Sequence, residues 1–222
     1  MAGADSRTAD VDDEIRGSTT VKTRVNSRAE VTFADETVAR LGANTLLRFN
    51  QGARSMELGE GAILLRVRRG TGGAKIETPA VTATITRTTV LFDFHDKTLF
   101  KFMVLEGVAR LSSNGVRGRS VRVHAGEILV GEPGDPLGRP VAINLAEVMK
   151  TSRLVSEFRP LGSEPLIAKE IRKQRKRSRG GALINTGPGS ELDQSAQDTI
   201  ERRATAFPTA PTGGDKPPQA RP

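Results

Sequence analysis

Apolar and polar positions alternate in short runs along most of the first 130 residues, and the runs are rich in Val, Ile, Leu and Thr. Within Met56–Phe94 four such runs are separated by Gly59-Glu60-Gly61, by the Arg68–Gly73 segment and by Pro79. Glycine-punctuated runs of this kind predict strands joined by tight turns. Ala29–Phe33 and Thr37–Leu41 flank Ala34-Asp35-Glu36 as a hairpin, and Asn44 suits a left-handed turn. Leu46–Phe49, Arg54–Leu58 and Ala62–Val67 read as three further strands, the last with Arg66 on a wet face and Leu65 and Val67 on a buried one. Lys75–Thr78, Ala80–Thr84, Thr88–Phe94, Thr98–Leu105, Val108–Leu111, Ser120–Val123 and Ile128–Val130 complete the series. Strands arriving about every 8–12 residues define an all-β module, an irregular β-solenoid or sandwich of short strands, and exclude βαβ units.

The pattern changes after a Pro/Gly linker over Gly131–Pro140. Asn144 followed by Glu147 is a capping box that predicts a helix from Leu145 to about Phe158. Leu145, Val148, Met149, Val155 and Phe158 give that helix an apolar face for packing on the β module. Pro165 suits the first turn of a second helix, Leu166 to about Arg177. The expected fold is therefore all-β, followed by one or two helices and a disordered C-terminal tail. The organisation is a loose arm over 1–18 overlapping a truncated domain start, a β module over 11–131, a linker and helices with a basic segment over 132–180, and a tail over 181–222 rich in Gly, Pro, Ser and Gln.

Composition narrows the chemistry. With eight Phe and neither Trp nor Tyr among 222 residues, the core is aliphatic and base-stacking recognition is disfavoured. The absence of cysteine removes disulfides, thiolate metal sites and cysteine nucleophiles. No apolar run reaches about 18 residues, so no transmembrane helix is expected.

The formal charge of +8 is uneven: residues 1–18 carry −3, residues 19–150 carry +6 and residues 151–222 carry +5. Within Lys169–Arg179, the six residues Arg172, Lys173, Arg175, Lys176, Arg177 and Arg179 form the sharpest cationic cluster and the candidate anion- or partner-binding site. The plain alternative is a solvated helix end whose cations complement the helix dipole.

No catalytic, cofactor or metal set assembles from the sequence. Asp93 and His95 share a strand face beside Asp96, but two ligands two residues apart make a weak metal or acid–base signal, and the other histidine is His124. Ser112 and Ser113 have no histidine spaced to activate them. Gly70, Gly72 and Gly73 lack the Gly-Lys-Ser/Thr ending and following helix of a phosphate loop, and read as a β-turn.

An ordered set of segments resembles the FecR domain family. It comprises Ser27–Val31, Val38–Thr45, Leu58–Ala62, Lys75–Ala80, Val104–Gly107 and Val123–Glu127, and covers roughly residues 11–131. Three positions depart from the family pattern: Arg87 and Arg24 stand where glycine is common, and Asp35-Glu36 replaces the usual Asp-Gly. The resemblance implies a non-enzymatic, extracytoplasmic β-rich module. In iron-uptake signalling such domains relay a message to a sigma factor through a transmembrane helix and an anti-sigma segment, neither of which is legible here. A free-standing FecR-domain protein is the expectation, with an unknown protein or anionic envelope polymer as partner.

Because Val11–Ile15 resembles a point already inside the domain, the resemblance also implies a start codon upstream of Met1, with a secretion signal there. Periplasmic or extracellular localisation follows from the resemblance; cytoplasmic localisation follows if Met1 is the true start. The alternative function is a cytoplasmic nucleic-acid or anionic-surface binder acting through segment 169–179.

Overall fold

A computed structural model describes residues 7–15, 18–50, 54–95, 98–115 and 120–179. The expected tail over 181–222 and Asp96 lie outside the described residues, as do Arg16, Gly17 and the first six residues of the expected N-terminal arm.

Thirteen strands form one curled, almost wholly antiparallel sheet. They are β1 (Thr19–Lys22), β2 (Ala29–Thr32), β3 (Val38–Leu41), β4 (Leu46–Phe49), β5 (Ser55–Arg66), β6 (Ala74–Glu77), β7 (Val81–Ile85), β8 (Thr89–His95), β9 (Leu99–Glu106), β10 (Val108–Ser113), β11 (Ser120–His124), β12 (Glu127–Gly131) and β13 (Val141–Ala142). Three helices follow: α1 (Leu145–Thr151), α2 (Arg153–Ser156) and α3 (Glu164–Arg179).

The sheet bends along β5. The first half of β5 pairs with β4 and, in parallel, with β6, whereas its second half pairs with β3 and β8. One half-sheet therefore runs β1-β4-β5-β6-β7-β10-β11 and the other β2-β3-β5-β8-β9-β12-β13. Parallel pairing is confined to β5 and β6 among the described strands, so the topology is that of a sandwich rather than a stack of parallel coils.

Two strands were expected where the single 12-residue β5 stands, because Gly59-Glu60-Gly61 reads as a turn. The glycines bend the strand without ending it. Gly61 has φ +93°, and a Cβ there would lie 2.6 Å from Thr45 Cα and 2.8 Å from the Asn44 carbonyl oxygen. The neighbouring chain presses so closely on the bend that only glycine fits.

The inward residues of both halves make one apolar core. Leu47, Met56, Ile76 and Ile85 on one side pack with Ile63, Phe92, Phe102 and Val104 on the other. Phe92 and Phe102, cross-strand partners on β8 and β9, meet edge to face at 5.2 Å.

The outer face of the β5-β8-β9 side is also apolar. Leu64, Leu91 and Leu105 are covered by Leu145, Leu154, Val155, Leu161 and Ile167 of the helical segment. Arg66, the last residue of β5, is half-buried rather than on a wholly wet face, and its Nη1 donates to the Glu36 carbonyl at 3.4 Å.

The helix expected over 145–158 is broken at Ser152, whose ψ of 115° is extended. In a straight helix, at about 100° per residue, Leu154 would point away from Leu145; the break returns both to the sheet. Asn144 caps α1 as expected, accepting from the Glu147 N–H at 3.2 Å.

Candidate functional site

Helix α3 carries the basic cluster, and its first half is fixed before the cations begin. The Ser163 carbonyl accepts from the amides of Leu166 and Ile167, and the Glu164 carboxylate accepts from the Leu161 N–H at 3.1 Å. Ile167 is fully buried and Ile171 packs on the same cluster. Gln174 then bridges to the start of α1, donating to the Ile143 carbonyl at 2.9 Å and accepting from the Leu145 N–H at 3.3 Å.

Around and beyond that anchor Arg172, Lys173, Arg175, Lys176 and Arg177 are exposed. Lys173 pairs with Glu170 at 2.7 Å, and the other four have no partner among the described residues. The side chain of Arg179, the sixth member, lies outside the described ones. A cationic array on an anchored helix can attract an extended anionic surface without first being ordered.

The weaker sequence candidates separate. His95 Nε2 lies 3.1 Å from Asp93 Oδ1 at the end of β8, with Asp93 opposite Lys101 across the ladder. The His124 backbone N–H donates to the Glu127 carboxylate at 2.8 Å in the β11–β12 turn, on another part of the sheet. Among the described residues no three His, Asp or Glu side chains gather as a metal set. Ser112 sits opposite Ser120 in the β10–β11 ladder, and Ser113 opposite Val81. The glycines at 70, 72 and 73 form a turn with φ of +83°, +79° and +93°, followed by a strand rather than a helix.

Two polar groups escaped the sequence reading. Arg40 is only 2% exposed: its Nε donates to Glu30 at 2.7 Å, and its terminal nitrogens donate to the carbonyls of Leu154 at 2.9 Å and Arg159 at 2.5 Å. Its guanidinium also lies 4.9 Å from the centre of the Phe158 ring. It stitches the α2 segment to β3.

Glu106, at the end of β9, is likewise buried. Thr89 Oγ1 lies 3.5 Å from its carboxylate and 2.9 Å from Ser163 Oγ, beneath the start of α3. Burial pushes the Glu106 carboxyl above the ordinary range and Glu170 adds to the rise, against the opposing pull of Arg69, Thr89 and Arg66. A lone charged residue in Val38-Ala39-Arg40-Leu41 gives no sign of its fate, because the cover comes from helices more than a hundred residues away.

The described residues thus form a curled antiparallel sheet with a helical cover on one outer face. Residues 19–110 match the model of the FecR protein family. That family is regulatory and is not known for enzymes. FecR domains of anti-sigma factors are typically periplasmic.

Two crystal structures of a proposed anti-sigma factor from Parabacteroides distasonis ATCC 8503 share the fold. One aligns at 15% identity and a TM-score of 0.51, covering 60% of this chain and 65% of that one. The other aligns at 17% identity and a TM-score of 0.51, covering 59% of this chain and 63% of that one. The chain thus spans less than two thirds of either neighbour. No curated protein matches the sequence. No described helix is long and apolar enough to cross a membrane.

Proposed function

We propose that this chain is a non-enzymatic, extracytoplasmic FecR-type module that binds a protein or envelope-polymer partner, with the basic end of α3 supplying attraction to anionic components. The observation that carries the reading is the array Arg172, Arg175, Lys176 and Arg177, exposed and partnerless among the described residues on a helix that Ser163 and Gln174 hold to the sheet. The outer strands of the two half-sheets, β1, β11, β2 and β13, each pair on one side only, which leaves backbone edges for a partner strand. The description of the structural neighbours as anti-sigma factors supports a protein partner.

The test is sedimentation of the purified chain with phosphatidylglycerol vesicles, phosphatidylcholine vesicles and duplex DNA over a salt series. The reading predicts binding to the anionic vesicles that falls steeply with salt. Replacing Arg172, Lys173, Arg175, Lys176, Arg177 and Arg179 together with Ala abolishes it. Salt-insensitive binding, or binding that survives the replacement, removes the electrostatic role. Preference for DNA over the vesicles moves the segment to the nucleic-acid reading.

A further inference from the structure

At the turn between β7 and β8, Arg87 holds φ at +53°, in the left-handed region that favours glycine. Packing does not explain the choice. Arg87 is exposed and makes no hydrogen bond or ion pair among the described residues. Backbone strain kept without a compensating contact is a reason to look for what the side chain faces.

It lines an open hollow of about 310 Å³ between two turns, with Arg68, Thr71, Thr86 and the glycine turn of residues 70–73. Among the described residues no carboxylate lines it. Thr71 ties the glycine turn to its start, its hydroxyl donating to the Arg68 carbonyl at 2.7 Å. Arg68 is half exposed and gives one nitrogen to Glu36 at 2.7 Å, which leaves other donors of its guanidinium for a ligand. Glu36 is itself at φ +62°. The turn that supplies Arg68 also supplies Arg69, so positive potential accumulates at this end of the sandwich, with Glu36 as the exposed counter-charge.

We propose that this hollow binds a phosphate-type oxyanion between the guanidinium groups of Arg87 and Arg68, with the hydroxyls of Thr71 and Thr86 at its rim. Two guanidinium forks and small hydroxyl groups around a concave turn suit a tetrahedral anion with several acceptor oxygens. The site shares no residue with the α3 array and stands apart from the reading given for that array. It is not a phosphate loop, since strand β6 follows the glycines and no helix N-terminus points at the hollow.

The experiment follows the backbone amides of Gly70–Gly73 and Thr86–Thr88 by ¹H–¹⁵N correlation spectra during titration with sodium phosphate at constant ionic strength, with sodium acetate in parallel. Saturable shifts with phosphate are expected, at an affinity about tenfold tighter than with acetate. Arg87→Gly weakens the response by about tenfold or more, yet leaves the melting temperature unchanged or higher, because glycine suits the φ that arginine strains. Glu36→Gln tightens binding by freeing Arg68. The six-residue Ala variant of α3 responds as the parent does.

Absence of saturable shifts, an equal response to acetate, or a phosphate response retained in Arg87→Gly overturns the proposal. Loss of the response in the α3 variant does so too, by moving the anion to the helix. A lower melting temperature for Arg87→Gly would show instead that Arg87 holds the turn together.

Discussion

The two outer faces of the bent sheet were built from the same alternation and came out opposite. On the β4-β5-β6-β7-β10-β11 side, the outward positions are Arg48, Glu57, Lys75, Thr84, Arg110 and Arg122, all exposed. They pair across strands, as Arg48 with Glu57 and Arg110 with Thr84 and Arg122. On the β5-β8-β9 side, the outward positions include Ala62, Leu64, Leu91, Met103 and Leu105, and three helices lie over them. A single sheet can thus be two-layered in one half and three-layered in the other. The outward residues alone decide which, because an apolar outer face must be covered and a charged one must stay wet.

The difference extends to how the layers are held. Between the half-sheets the contact is almost purely apolar. Beneath the helices it combines apolar packing with two buried polar stitches, Arg40 at α2 and Glu106 beside Ser163 at α3. Apolar packing sets how tightly layers adhere, whereas hydrogen bonds to particular carbonyls also fix where the cover sits.

Perturbing the covered face gives the largest effect. Leu64→Ala, fully buried between β5 and the helices, destabilises by about 2–5 kcal/mol in denaturant unfolding. Gly61→Ala follows at about 2–4 kcal/mol, because the positive φ and the clash with the Thr45 and Asn44 backbone at the bend add together. Arg40→Ala comes next. It leaves Glu30 and two carbonyls without their donor, and because Glu30 is a third exposed the loss is about 2 kcal/mol, below the usual range for a fully buried pair. Hydrogen exchange locates that loss in α1 and α2, with the inter-sheet core still protected. Equal loss of protection in β8 and β9 would contradict a separately stitched cover.

Glu106 gives a smaller, pH-dependent effect. Its folded pKa is raised, so its favourable contribution is fully present below the unfolded carboxyl pKa and is lost as pH rises through the folded value. Glu106→Gln, which keeps the shape without the charge, therefore gains stability relative to the parent as pH rises above the ordinary carboxylate range. Parallel stability curves would break the claim. Smallest of all, Thr84→Ala on the open face changes stability by no more than about 0.5 kcal/mol.

Much of this was legible in the chain because alternation and turn residues report local geometry. The hairpin around Asp35-Glu36, the left-handed Asn44 and the Asn144 cap all came from side chains acting on their own backbone. The bend at Gly59-Glu60-Gly61 did not, since whether glycines end a strand or curve it depends on Thr45 pressing from a neighbouring strand. Arg40 and Glu106 were illegible for the same reason at longer range: only a distant helical segment turns a surface charge into a buried one. The basic residues of α3 were visible from their density, and the structure adds that an anchored helix displays them. The Arg68–Arg87 hollow needed two turns to meet in space, which no spacing along the chain encodes.

Export of the proposed FecR-type module is checked by fractionating cells that express the native locus with its upstream DNA and a C-terminal tag. Recovery in the periplasm or medium is expected. Recovery confined to the cytoplasm would contradict it and leave the cations of α3 to an intracellular anion.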